Sequence, residues 1–126
     1  MEKTTVLAVD DNADVLQFYR RWGKSMGFEV VTVDEGKKAV EETKKEKFDV
    51  VFLDIRMPGM DGPEILKEIK GVAPYLPVFI TTGSERDDVV EKALKDGAAG
   101  YIYKPFEMEE LAGAVKKAKG ASKKLS

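Results

Sequence analysis

The chain has 126 residues, a length typical of one domain with a single hydrophobic core. Hydrophobic residues make up 43% of it and charged residues 35%, which favours an independently folded globular protein over a disordered one. Its 21 basic and 23 acidic residues leave a formal charge of −2, so there is no broad electrostatic attraction for nucleic acid or for an anionic membrane.

Two residue types are absent from the whole sequence. The lack of cysteine excludes a disulfide framework, a thiolate metal site and a cysteine nucleophile. The lack of histidine excludes that side chain as metal ligand, general base or phosphoryl carrier, so any histidine chemistry must come from a partner. The first residues have no signal-peptide pattern and no apolar stretch is long enough to span a bilayer, so we expect a cytoplasmic protein.

Short apolar runs rich in β-branched residues alternate with segments of helical periodicity. The predicted strands are 6–9, 30–33, 50–53, 78–80 and 101–103. The predicted helices lie within 15–26, 39–43, 65–69, 89–94 and from about 108 to 119. Strict alternation implies right-handed crossovers and a parallel sheet with helices on both faces, so the fold class is α/β, doubly wound. We expect one domain over 1–120, with 121–126 as a frayed tail or the start of a linker.

Polar residues follow the predicted strands at one edge of the sheet, where open parallel sheets bind ligands. Asp10 and Asp11 follow the first strand, Asp54 the third, Thr82 the fourth and Lys104 the fifth. Each has an ordinary explanation when taken alone. Asp11 or its neighbour could cap the first helix, Asp54 could serve a turn, and Lys104 could be a solvated surface residue. The clustering of these residues at one edge indicates a functional site.

The chemistry of this cluster narrows its function. Three neighbouring carboxylates repel one another unless a cation lies between them, and oxygen ligands without histidine or cysteine favour Mg²⁺, with Mn²⁺ as an alternative. An aspartate beside such an ion and a lysine can attack phosphorus and form an acyl phosphate. Phosphoryl transfer requires mainly positioning and charge neutralisation, which these residues supply.

Four motifs carry a family resemblance over nearly the whole chain. They are Val-Asp-Asp-Asn at 9–12, Leu-Asp-Ile-Arg-Met-Pro-Gly-Met-Asp-Gly at 53–62, Thr-Thr-Gly at 81–83 and Tyr-Ile-Tyr-Lys-Pro-Phe at 101–106. In this order they resemble the motifs of the response regulator receiver domain of two-component signalling. The resemblance implies a flavodoxin-like five-stranded sheet of order 2-1-3-4-5, which places the first and third strands side by side.

The resemblance also implies a role for each residue of the acidic cluster. Asp54 is the expected phosphorylation site and nucleophile. Asp11, Asp54 and the backbone carbonyl of Arg56 are the expected Mg²⁺ ligands, while Asp10 acts through a metal-bound water. The expected donor is a phosphohistidine on a sensor histidine kinase or a histidine phosphotransfer protein.

The remaining motif residues are expected to bind the phosphoryl group and transmit the signal. Thr82 and Lys104 would contact phosphoryl oxygens, and the bond between Lys104 and Pro105 is a candidate cis peptide. Thr82 would move toward the phosphate and Tyr101 would turn into the space it leaves. This shift alters the face formed by the fourth helix, fifth strand and fifth helix, which controls an unidentified downstream protein. We expect a monomer or a phosphorylation-dependent dimer.

Three alternatives remain beside a self-contained receiver. The chain could be the N-terminal receiver part of a longer regulator with a DNA-binding or enzymatic output. It could be an aspartyl-phosphate phosphatase, although Arg56 stands where such an enzyme would have a second acid or base and no length is left for a substrate cap. It could be a phosphorylation-independent scaffold, against which the complete set of site residues argues. We expect no turnover of an external substrate.

Overall fold

The computed structural model describes residues 3–84 and 88–125, with side chains described as far as Gly120. Five strands alternate with five helices along this part of the chain. The strands are β1 (Thr5–Val9), β2 (Glu29–Val33), β3 (Val50–Asp54), β4 (Val78–Thr82) and β5 (Gly100–Tyr103). The helices are α1 (Ala13–Met26), α2 (Gly36–Lys45), α3 (Gly62–Val72), α4 (Asp88–Lys95) and α5 (Met108–Leu125). The predicted element order is confirmed.

All four strand pairings are parallel, and the sheet order is β2-β1-β3-β4-β5. The doubly wound α/β topology predicted from the sequence is therefore confirmed. Val9 is in register with Leu53, so the ends of β1 and β3 lie side by side. The residues that follow Val9 and Leu53 are consequently neighbours at one edge of the sheet.

Each face of the sheet carries its own hydrophobic core. Alternate strand residues such as Leu7 and Val9 pack under α2, α3 and α4. The intervening residues, such as Ala8 and Phe52, pack under α1 and α5. Both faces are covered, which explains why the strands have continuous apolar sequences instead of an alternating pattern.

The start of α1 shows which residue caps this helix. The Asn12 side chain accepts hydrogen bonds from the amides of Asp14 and Val15 at 2.8 and 3.3 Å. An asparagine cap of this kind stabilises a helix by about 1 kcal/mol. Because Asn12 supplies the cap, the carboxylate of Asp11 is not needed for this purpose.

The last helix runs further than the sequence suggested. The sequence predicts a helix that ends near Lys119, followed by a frayed tail or the start of a linker, whereas α5 continues to Leu125 and 121–125 have a helical backbone. Gly120 lowers helix stability by only about 1 kcal/mol relative to alanine, and the good helix formers around it outweigh this cost. None of the helices in the described ranges combines the length and the apolar character needed to cross a membrane.

Candidate functional site

Three aspartates converge where β1 and β3 end. One carboxylate oxygen from each of Asp10, Asp11 and Asp54 lies within 4.8 Å of the other two. Asp10 and Asp54 are buried, with 0% and 4% of their surface exposed, whereas Asp11 is exposed. Two buried like charges and one exposed charge at this distance repel one another, so the cluster needs positive charge close by.

Lys104 supplies part of that charge. Its Nζ lies 2.6 Å from Asp10 Oδ2 and donates a hydrogen bond of 3.1 Å to Asp54 Oδ2. The backbone N–H of Lys104 donates to the carbonyl of Thr82, which fixes the lysine beside the end of β4, and the bond between Lys104 and Pro105 is cis, as expected. Three carboxylates and one ammonium leave two negative charges in excess, which suits a divalent cation.

The environment of Asp54 raises the pKa of its carboxyl above the ordinary value. Burial raises its pKa, the backbone N–H of Arg56 lowers it, the neighbouring charge of Asp10 raises it and Lys104 lowers it, and the pKa is raised overall. Because a carboxylate must be ionised to attack phosphorus, additional positive charge beside Asp54 would favour the reactive form.

The same surroundings favour the charged form of Lys104. Burial acts to lower the pKa of Lys104, but the hydrogen bonds and charges of Asp10 and Asp54 outweigh burial and raise it. The side chain therefore stays an ammonium ion at neutral pH. It is also 24% exposed, so it can reach a group that approaches from solvent.

The loop after β3 brings Arg56 next to Asp54. The Arg56 N–H donates to Asp54 Oδ1 at 3.1 Å, and Gly59 adopts a left-handed φ of 72° that allows the chain to turn back. Gly62 begins α3 so close to the loop that a Cβ there would lie 2.6 Å from the carbonyl oxygen of Ile55. These glycines explain the turn signals in this segment, while the role of the Arg56 carbonyl stays a prediction.

Thr82 and Tyr101 occupy neighbouring strands with different exposure. Thr82 is 1% exposed, and its hydroxyl exchanges hydrogen bonds with the backbone N–H and carbonyl of Ser84 at 3.3 and 3.4 Å. Tyr101 is 45% exposed and its ring lies 5.2 Å from that of Tyr103, which is paired with Thr82 in the sheet. Thr82 is thus a buried residue at the end of β4 and Tyr101 an exposed residue on the neighbouring strand, while the relay between them stays a prediction.

Sequence reasoning missed two polar residues beneath the aspartates. Tyr19 and Thr81 both have 0% exposure. Tyr19 lies on α1 and packs in the core between this helix and the sheet, and Thr81 follows Phe79 of the same core by two residues on β4, so its side chain is on that face of the sheet. Helical spacing placed Tyr19 on the buried face of α1 as an ordinary core aromatic. The signal in the sequence was its phenol group, because a buried tyrosine hydroxyl usually has a partner.

Comparison with known proteins agrees with this geometry. The sequence profile of the response regulator receiver domain matches residues 6–116. The chain is 37% identical over 110 residues to the transcriptional regulatory protein ZraR of Klebsiella oxytoca, covering 87% of this chain. It is 36% identical over 118 residues to the DNA-binding transcriptional regulator NtrC of Escherichia coli K12, covering 94% of it. The chain spans about a quarter of the length of these relatives.

Solved structures show the same relationship. A response regulator receiver domain protein from Clostridium thermocellum superposes with a TM-score of 0.88 at 31% identity, covering 98% of this chain and 99% of that one. The receiver domain of nitrogen regulatory protein C in its apo form gives a TM-score of 0.83 at 35% identity, with coverage of 94% and 95%. Topology, motif positions and relatives agree, and the chain belongs to the response regulator receiver domain family of two-component systems.

Proposed function

We propose that the chain is a signalling switch whose Asp54 carboxylate accepts a phosphoryl group from a phosphohistidine of a partner protein. The observation that carries this proposal is the position of Asp54. Its buried carboxylate is grouped with those of Asp10 and Asp11 and accepts a hydrogen bond from Lys104. The proposed nucleophile, an acidic cluster that could hold a cation and the Lys104 ammonium group thus meet at one edge of the sheet.

The donor set supports Mg²⁺ as the cofactor, with Mn²⁺ as an alternative. The ligands available are oxygens, and the cluster holds two negative charges in excess. Asp11, Asp54 and the Arg56 carbonyl would hold the ion directly, and Asp10 would hold it through water. When bound, the ion supplies charge neutralisation for the incoming phosphoryl oxygens.

The proposed transfer step uses these side chains. An Asp54 carboxylate oxygen attacks phosphorus, an O–P bond forms, and the N–P bond of the donor phosphohistidine breaks. The electron pair of that bond remains on the imidazole nitrogen. Lys104 and Thr82 donate hydrogen bonds to the phosphoryl oxygens and stabilise the charge that they carry.

The partner that provides the phosphoryl group is proposed to be a sensor histidine kinase or a histidine phosphotransfer protein. This chain contains no histidine, so the phosphohistidine must lie outside it, and we propose that it belongs to a second protein. The receiver would catalyse only its own phosphorylation and dephosphorylation. A phosphatase acting on external substrates is less well supported, because Arg56 stands where a second carboxylate would be expected.

The output of the switch is proposed to pass through α4, β5 and α5 to a downstream protein. Relatives that match the chain over about a quarter of their length are transcriptional regulators by name. Their greater length favours a second proposal, in which this chain is the receiver part of a longer regulator with a DNA-binding output. Reading the coding sequence beyond this chain tests that proposal, and a stop codon directly after it would contradict it.

Phosphorylation itself can be tested with a small donor. Acetyl phosphate and Mg²⁺ should add one phosphoryl group to the wild-type chain, detected by intact-protein mass spectrometry. Asp54→Asn should abolish this addition. Asp49→Asn is the matched control because Asp49 is exposed and precedes the opposite end of the same strand. An undiminished mass shift in Asp54→Asn would contradict the assignment.

A further inference from the structure

A tyrosine lies directly behind the acceptor site in the core between the sheet and α1. Tyr19 has 0% exposure, and its ring centroid lies 5.6 Å from that of Phe52 and 5.4 Å from that of Phe106. Phe52 stands two residues before Asp54 on β3, so Phe52 and Asp54 have their side chains on the same face of the sheet. The Tyr19 ring therefore packs against the strand that carries the nucleophile.

The hydroxyl of Tyr19 belongs to a small group of buried polar atoms. Thr81 is in register with Asp54 on the neighbouring strand and has 0% exposure. The hydroxyls of Tyr19 and Thr81 are both buried, and Thr81 acts to lower the pKa of Tyr19. Among the described side chains, neither hydroxyl has a hydrogen-bond partner, and neither does Asp10 Oδ2, which is held by its ion pair with Lys104.

The charge state of the phenol is set by its surroundings. Burial raises the pKa of Tyr19 well above its ordinary value, and the charges of Asp10 and then Asp54 raise it further. The hydroxyl is therefore protonated at neutral pH and can donate a hydrogen bond. A buried hydroxyl without a partner destabilises a core, so its presence here needs a reason beyond packing.

The contacts that Asp10 makes before phosphorylation supply that reason. Asp10 Oδ1 accepts the N–H of Asn12 at 2.9 Å, and Asp10 Oδ2 faces Lys104. In the proposed function Lys104 turns to the phosphoryl oxygens, which leaves Asp10 Oδ2 without its counter-charge. Tyr19 Oη and Asp10 Oδ2 are both buried without a hydrogen-bond partner among the described residues, so this hydroxyl is a donor available to the oxygen that loses its counter-charge. The charge of Asp10 also raises the pKa of Tyr19 more than that of Asp54 does.

We propose that Tyr19 is a positioning residue of the acceptor site, whose hydroxyl, supported by Thr81, donates to Asp10 when Lys104 engages the phosphoryl group. The inference rests on the proposed function. Tyr19 contacts neither metal nor phosphate and acts through the orientation of Asp10. Removing its hydroxyl should therefore weaken Mg²⁺ binding and slow phosphorylation without unfolding the chain.

The decisive variant is Tyr19→Phe, which removes the hydroxyl and keeps the ring. We expect its Mg²⁺ dissociation constant, measured by calorimetry, to rise about tenfold, the lower end of the range for lost partners of metal ligands. Phosphorylation by acetyl phosphate at subsaturating Mg²⁺ should slow correspondingly. The melting temperature without metal should not fall, since an unpartnered buried hydroxyl has been removed.

The control is Trp22→Phe, one turn further along the same helix. Trp22 is also 0% exposed and its indole N–H has no partner among the described residues. This variant should leave the Mg²⁺ dissociation constant unchanged. Equal weakening in Trp22→Phe and Tyr19→Phe would assign the effect to core packing and overturn the inference.

A second pair of variants keeps the inference testable if Tyr19→Phe folds poorly. Thr81→Val should weaken Mg²⁺ binding in the same direction, and the double variant should be no weaker than Tyr19→Phe alone, because both hydroxyls act as one unit. Wild-type Mg²⁺ affinity and phosphorylation rate in Tyr19→Phe and Thr81→Val would overturn the inference and leave the proposed function standing. A wild-type chain that neither binds Mg²⁺ nor accepts phosphate would overturn both.

Discussion

Lys104 and Asp10 form an ion pair of 2.6 Å across two intervening strands of the sheet. Asp10 follows β1 and Lys104 follows β5, with the ends of β3 and β4 between them. The Lys104 ammonium group also donates a hydrogen bond to Asp54, so this one side chain contacts both buried carboxylates. This lysine therefore compensates part of the charge of the two buried carboxylates.

Replacing Lys104 by methionine should destabilise the metal-free protein. Breaking a fully buried ion pair costs about 3–5 kcal/mol, and partial solvent exposure of the lysine reduces this to about 2 kcal/mol. Mg²⁺ should restore part of the lost stability, because it supplies positive charge to the same carboxylates. Urea unfolding of wild type and Lys104→Met, each with Mg²⁺ and with a chelator, measures both effects.

Lys38→Met is the control for this comparison. Lys38 forms exposed ion pairs with Asp34 and Glu35 at 3.1 and 3.6 Å. Solvent screens such pairs, so this variant should unfold at the wild-type urea concentration with or without Mg²⁺. A similar loss in both lysine variants, or no rescue of Lys104→Met by Mg²⁺, would contradict the proposed charge balance.

The two adjacent aspartates should differ in their contribution to Mg²⁺ binding. Both oxygens of Asp10 already have protein partners, Asn12 and Lys104, whereas Asp11 is exposed to solvent. Asp11→Ala should therefore weaken Mg²⁺ binding more than Asp10→Ala, as expected for a direct ligand compared with one that acts through water. A calorimetric titration of both variants measures the difference, and equal losses would argue against this division.

Sequence reasoning reached the fold because the apolar runs and helical segments alternate strictly. It also placed Asp10, Asp54 and Lys104 at one edge, since parallel strands end together. It did not show that Lys104 lies closer to Asp10 than to Asp54, because this depends on side-chain conformation across several strands. It assigned Tyr19 to the core alone, since only the packing of α1 on the sheet shows that the Tyr19 ring lies against Phe52, two residues before Asp54 on β3.

The pH dependence of stability should reveal that ionised Asp54 destabilises the folded protein. Burial raises the pKa of Asp54 in the folded protein above the unfolded value of about 3.9, so the folded state holds this proton more tightly. Stability from this group is present at low pH and is lost as pH rises from the unfolded pKa through the folded pKa. Without metal, Asp54→Asn should therefore melt at a higher temperature than wild type at pH 7.

Thermal melts in the presence of a chelator at several pH values test this sign. The difference between Asp54→Asn and wild type should shrink as the pH falls toward about 4, because wild-type Asp54 becomes protonated there. Mg²⁺ at pH 7 should also reduce the difference, since it stabilises the ionised wild-type carboxylate. If Asp54→Asn is less stable than wild type at pH 7 without metal, ionised Asp54 does not destabilise the folded protein.

The last prediction separates phosphoryl capture from the signal that follows it. Asp54 and the metal capture the phosphoryl group in the proposed mechanism, whereas Thr82 reports its presence to Tyr101. Thr82→Ala should still accept phosphate from acetyl phosphate, because the nucleophile and cation site are intact. The structural response should be weak, because the hydroxyl that moves toward the phosphate is gone. Thr82→Ser keeps that hydroxyl and is the matched control.

Amide NMR spectra recorded with and without acetyl phosphate measure the response. Wild type and Thr82→Ser should show shifts around Tyr101 on β5 and along α4, whereas Thr82→Ala should show phosphorylation by mass with small shifts at these positions. The ring of Tyr101 is half exposed, so it has room to change conformation when the Thr82 side chain moves away from Ser84. If phosphorylated Thr82→Ala shows the full wild-type shifts around Tyr101, the hydroxyl of Thr82 is not the link, and the signal leaves Asp54 by another route.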